Sequence, residues 1–93
     1  MKKKPIPKGL TIVEKKIQGG YKLKKNQFVF GRIKYWEGLI EVDPRQNSEE
    51  MMDTLIHECL HWINPEWSER QVKNSAGLIS EVLWGLKFRR IKD

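Results

Sequence analysis

Residues 57 to 61 read His-Glu-Cys-Leu-His, and these are the only two histidines in the chain. On a helix, residues four apart lie one turn apart on the same face, about 5 to 6 Å between β-carbons. His57 and His61 can therefore aim two imidazoles at one point. Imidazole nitrogens bind zinc at about 2.0 to 2.1 Å, in a site that is usually tetrahedral. Glu58 follows His57 by one residue, about 100° around the helix, which sets it beside such an ion rather than on it. The ion lowers the pKa of a coordinated water toward about 7 and polarises a carbonyl, and a carboxylate beside it can act as general base. This is the mechanical content of an H-E-x-x-H pattern. The plain alternative is two surface histidines next to a solvated glutamate.

A catalytic zinc needs a third protein ligand and one open position. With no third histidine, the donor is a carboxylate or Cys59. Cys59 points about 200° away from His57 on a helix and falls among Ile56, Leu60 and Ile63, where a thiol packs as a small hydrophobe. Glu69 is the preferred third ligand. It lies three residues before Val72, on the same helical stripe as Ala76 and Ile79, and an acid on an inward stripe is costly unless paired or metal-bound. Glu66, just before that helix, is the second choice; Glu81 reads as solvated.

The elements that must position these groups are legible in outline. Asn47 or Ser48 can cap a helix whose first turn holds Glu49 and Glu50. Met52, Leu55, Ile56, Cys59, Leu60 and Ile63 follow at helical spacing, and Asn64-Pro65 stops the run. Ser68 and Gln71 form a capping box for a second helix, with Trp67 and Val72 placed for a hydrophobic staple. Its apolar face reads Val72, Ala76, Ile79, Leu83, Leu86. Upstream, residues 10–17 (LTIVEKKI) suit a strand or a short helix. Residues 28–33 and 39–42 suit strands joined by a hairpin through KYWEG, with Gly38 free to take a special backbone angle. Strands followed by helices predict an α+β fold: a small antiparallel sheet, then two packed helices. Pro5 and Pro7 make residues 1–8 a basic, flexible, extended arm before a single domain over 9–93.

Ninety-three residues with one cysteine leave no intramolecular disulfide, and a core this small often leans on a metal. The net charge is +6, with lysines and arginines crowded into the first 34 positions and the last seven. Such runs serve as a solubilising fringe or as contacts to nucleic acid or an anionic surface. No stretch approaches the ~18 apolar residues of a membrane span, and prolines follow MKKK where the apolar core of a signal peptide would begin. The expectation is a cytoplasmic protein without a membrane partner.

The segment HECLHWINPEWSE resembles zincin metallopeptidases, most closely the compact SprT-like and minimal gluzincin-type domains of bacteria and their phages. The match covers residues 54–72, with His57, Glu58 and His61 at the motif positions. The resemblance implies a peptidase whose sheet edge receives an extended peptide substrate, and a helix after the motif that gives a glutamate ligand, a role Glu69 matches. There is no third histidine of the SprT type, and the spacing to the glutamate is shorter than in larger gluzincins. Tyr35, Arg89 and Arg90 are candidates for stabilising an oxyanion; hairpin packing is the alternative for Tyr35. Two further functions stay open: a zinc-stabilised binding module with little or no hydrolysis, and a nucleic-acid accessory protein working through its basic ends.

Overall fold

Leu39–Val42 (β4 below) is buried at Ile40, Glu41 and Val42 because a strand lies on each side of it. The computed structural model describes residues 3–5, 9–17 and 31–91. Within them the strands are β1 (Lys3–Pro5), β2 (Thr11–Glu14), β3 (Gly31–Lys34) and β4, in the sheet order β1-β2-β4-β3. The helices are α1 (Ser48–Ile63) and α2 (Glu69–Gly85). The chain divides into two compact units, Met1–Gln46 and Asn47–Asp93. The α+β order, strands before two packed helices, is as the sequence predicts.

The sheet is mixed rather than wholly antiparallel. β3 and β4 form the expected antiparallel hairpin, closed by a 3-10 turn over Tyr35–Glu37 and by Gly38 at φ 60°. That left-handed angle suits a residue without a β-carbon. β2 pairs with the other edge of β4 in parallel, with Ile12 opposite Ile40, and β1 is antiparallel to β2. A parallel neighbour needs a long connection rather than a tight turn, and β2 and β3 are separated by 16 residues. Residues 10–17 take the strand alternative over Thr11–Glu14. Lys3–Pro5, inside the expected arm, is extended and paired. Residues 1–2, 6–8 and 28–30, and with them parts of the arm and of the 28–33 strand, lie outside the described residues, as do Gly19-Gly20 and the KLKK run.

Two buried carboxylates organise this first unit. Glu41 faces away from Ile40 and Val42 and pairs with Arg32, its cross-strand neighbour, and with Lys15 at 3.5 Å. Burial pushes its carboxyl up, but Arg32 and the nearby lysines outweigh this and hold it below its usual value. Asp43 is fully buried where the chain leaves the sheet. Its Oδ2 accepts from the Ile17 backbone N–H at 3.0 Å and from Arg45 Nη2 at 2.6 Å; its Oδ1 accepts from Arg45 Nε and from the Arg45 backbone, both at 2.9 Å. Arg45 also donates to the Ile17 carbonyl at 3.1 Å, and Gln46 Nε2 donates to the Asp43 carbonyl at 2.9 Å. The clamp ties the end of β4 to Ile17, 26 residues earlier.

The helical unit begins with two reciprocal caps. Asn47 and Glu50 exchange bonds of 2.8 and 2.9 Å at the start of α1, and Ser68 and Gln71 exchange bonds of 3.1 and 2.9 Å at the start of α2. The deepest positions of α1 are Met51 and Glu58, two turns apart, whereas Ile63 is exposed. On α2 the buried positions are Val72, Ala76 and Ser80; Ile79 and Leu86, expected on the inner stripe, are exposed. One partner helix covers only part of an apolar arc this wide. α2 ends in a Schellman closure: Lys87 N–H donates to the Trp84 carbonyl at 3.0 Å and Phe88 N–H to the Leu83 carbonyl at 3.1 Å. Lys87 stands at φ 73°, where glycine is usual.

Asp43→Ala strands the buried Ile17 N–H and should cost about 1–3 kcal/mol in denaturant titration. Arg45 hydrogen bonding, with smaller help from backbone N–H groups, overcomes burial and holds Asp43 well below the usual carboxylate range. Its stabilisation is thus complete above the unfolded value of about 3.9 and is lost as pH falls below it. Asp43→Asn should flatten that acid limb of the melting temperature. Lys87→Gly should raise stability by about 1 kcal/mol by relieving the left-handed backbone; an unchanged or lower midpoint would contradict that reading of the closing turn.

Candidate metal centre

α1 and α2 are joined by the turn around Asn64-Pro65 and pack against each other. The capping box makes Ser68 the N-cap, so Glu69 is the first residue of α2. Its carboxylate reaches back to α1: Oε1 lies 2.6 Å from His57 Nε2, and Oε2 lies 3.1 Å from His61 Nε2. The two rings meet edge to face with centroids 4.9 Å apart. In a hydrogen bond to a carboxylate the imidazole Nε2 carries the hydrogen, so both rings donate to this one carboxylate.

The donor set fits a metal. One ligand atom from each of His57, His61 and Glu69 lies within 4.8 Å of the others. Two bonds of 2.0–2.1 Å span at most about 4.2 Å, so closing on one ion takes side-chain adjustments on the order of half an ångström and transfer of the Nε2 hydrogens. Two imidazoles, which are borderline donors, together with one harder carboxylate oxygen make a set that suits zinc. Glu69 is 69% exposed while His57 and His61 are 22% and 15% exposed, so one side of the cluster opens to solvent. The sequence argument for Glu69 rested on an inward-facing side chain. The structure brings Glu69 to the histidines from an exposed first turn instead.

Glu58 points to the buried side of α1, beside the cluster rather than in it. Burial, and secondarily the Glu69 charge, push its carboxyl up to about 7. A divalent cation at the neighbouring histidines would oppose that rise. Cys59 is half-buried, its thiol pushed up by burial and then by Glu58; it lies outside the cluster. Glu66 is exposed in the interhelical turn, also outside it.

Of the side chains considered for an oxyanion, Tyr35 lies in the hairpin turn of the first unit. Arg89 stacks on the Trp84 ring at 3.4 Å and donates to the Trp84 and Phe88 carbonyls. It and Arg90 follow the end of α2, about 25 Å along the helix from Glu69. A contact that sequence reasoning missed lies between the helices: Ser80 Oγ donates to Asp53 Oδ1 at 3.3 Å. Asp53 precedes His57 by one turn on the same face of α1, so this bond and the Glu69 contacts fasten the antiparallel helices at two levels. The i−4 spacing of Asp53 to His57 was visible in the sequence; its partner was not.

The chain matches no family model, no curated protein and no solved structure.

Purified after zinc supplementation, the protein should carry about one zinc per chain. Glu69→Ala should weaken zinc affinity at least about tenfold, since loss of even an outer-shell partner of a metal ligand costs about 10–100-fold, and Glu66→Ala should leave it nearly unchanged. Competitive titration with a chromophoric chelator measures both, and the opposite order would move the ligand to Glu66.

Proposed function

We propose that the protein is a zinc-dependent metallopeptidase that hydrolyses peptide bonds. The observation that carries this reading is the convergence of His57, His61 and Glu69 next to a glutamate that follows the first histidine directly. His57 and His61 would hold zinc through Nε2 and Glu69 through its carboxylate. When bound, zinc polarises the substrate carbonyl and acidifies water.

Glu58 then takes a proton from the attacking water as its oxygen bonds to the carbonyl carbon. It passes that proton to the nitrogen as the carbon–nitrogen bond breaks, so one water is consumed and an acid and an amine are released. The buried position of Glu58 supports this role, because α1 holds its carboxylate beside the ligand set while Glu69 and the open face leave room for a chain to approach. Substrates would be extended segments of peptides or unfolded proteins.

A second reading is a zinc-stabilised binding module. The placement of Arg89 and Arg90 at the far end of α2 favours it, since neither is near enough to stabilise an oxyanion at the cluster. Glu58 separates the two readings, because a purely structural zinc does not need a base.

Glu58→Gln should keep zinc and lose peptide hydrolysis by about 10²–10⁴-fold, the usual worth of a general base. His57→Ala should lose both zinc and hydrolysis and melt at lower temperature. Casein and a quenched fluorescent peptide library serve as substrates. Wild-type protein that carries zinc but cleaves nothing would favour the binding module, and Glu58→Gln cleaving at the wild-type rate would refute the catalytic assignment.

A further inference from the structure

The surface of the helical unit changes character along α2. From Asn47 to Glu81 the chain carries Arg70 and Lys73 against seven acids; from Val82 to Ile91 it carries Lys87, Arg89 and Arg90 and no acid. The same end exposes large apolar side chains. Leu78, Val82 and Leu86 recur every four residues on one face of α2, and all three are exposed. Beyond them Phe88 is exposed and Ile91 is 89% exposed. The Schellman closure and the Arg89–Trp84 stack fix this end, so its cations and apolar groups are presented by an ordered turn.

Water is a poor environment for such a patch, and the charge pattern narrows what covers it. A nucleic acid would use the cations, but its interfaces are polar and would leave the aliphatic groups without a role. A second copy docked through the same face would bring two sets of three cations together. An anionic lipid surface accepts both: basic groups meet the headgroups while leucine, isoleucine and phenylalanine enter the acyl boundary.

We propose that the C-terminal end of α2 and the residues through Ile91 dock the protein on the surface of an anionic bilayer. The docking is peripheral, since among the described residues no helix is long and apolar enough to cross a membrane. It departs from the expectation of no membrane partner, which rested on the lack of a spanning stretch and of a signal peptide. Within the helical unit the acidic remainder is repelled by the same surface, so this unit meets the lipid by its tip, about 25 Å along α2 from Glu69.

Co-sedimentation of the full chain with lipid vesicles tests this. The protein should pellet with phosphatidylcholine vesicles that contain phosphatidylglycerol and not with phosphatidylcholine alone. Lys87→Gln/Arg90→Gln should weaken partitioning about 30-fold, at about 1 kcal/mol per cation near the surface. Leu86→Ser/Ile91→Ser keeps every charge and should weaken it at least about tenfold. Leu78→Ser, away from the closing turn, should weaken it in the same direction, and circular dichroism checks that each variant is folded. Failure of the wild type to bind anionic vesicles overturns the proposal. So does undiminished binding by the folded serine variants, which would mean adsorption through charge elsewhere. Binding to duplex DNA that falls with the serine variants, while vesicle binding does not, would assign the surface to nucleic acid and overturn it as well.

Discussion

A single carboxylate held between two imidazoles sets the geometry of the helical unit. Glu69 touches His57 and His61 at once, and this fixes the start of α2 against the last two turns of α1. The contact requires both helices to begin where they do. Were Ser68 not the cap, Glu69 would not be the first helical residue, and a shift of one position would swing its side chain about 100° away. The Asp53–Ser80 bond holds the same register farther along the pair. The carboxylate bridges the two ring nitrogens through hydrogen bonds. A metal would draw the same three groups inward, so the helix pair is already arranged for ligation and little chain entropy remains to be lost on binding.

The helices were legible because their signals are local. Capping boxes satisfy orphan N–H groups with side chains three residues away, and both boxes form at the residues that spell them. Depth was less legible. Spacing gives a direction around a helix axis but not which part of a wide apolar arc a partner will cover. Ile79 and Leu86 share the arc of Val72 and Ala76 yet remain exposed. Glu69 shows the same limit in reverse: the sequence argument buried it, while the structure leaves it open and still joins it to the histidines, because a long side chain at a helix start can reach the preceding helix without being covered by it.

The sheet was less legible than the helices for a different reason. The β3–β4 hairpin could be read because a short loop with Gly38 leaves only an antiparallel return. The β2–β4 pairing joins segments with no turn between them, and alternation of side chains is the same in parallel and antiparallel strands. Nothing in residues 10–17 fixed the direction. The Asp43 clamp was equally hidden: its acceptors are used by Ile17 and Arg45, and no spacing rule connects position 43 to position 17.

Charge is distributed against the mean. Residues 1–46 hold twelve lysines and arginines and four acids, while residues 47–93 hold six and eight. The chain is basic overall, yet the candidate metal centre lies in its acidic half. Within that half, Glu58 and Glu66 lie in the same stretch as Glu69, and four of the six cations are gathered beyond Val82 at the other end of α2. Coulomb interactions between exposed groups are screened over about 8–10 Å at ordinary ionic strength, far less than the length of α2. Among the charges of the helical unit, the ones that act on the histidines are therefore the neighbouring acids and not the cations beyond Val82. Acids there would favour a divalent cation, and Glu69 adds to burial, the larger cause, in opposing ionisation of Glu58. The same separation would let the basic, apolar end of the helix meet an anionic surface without drawing the candidate metal centre onto it.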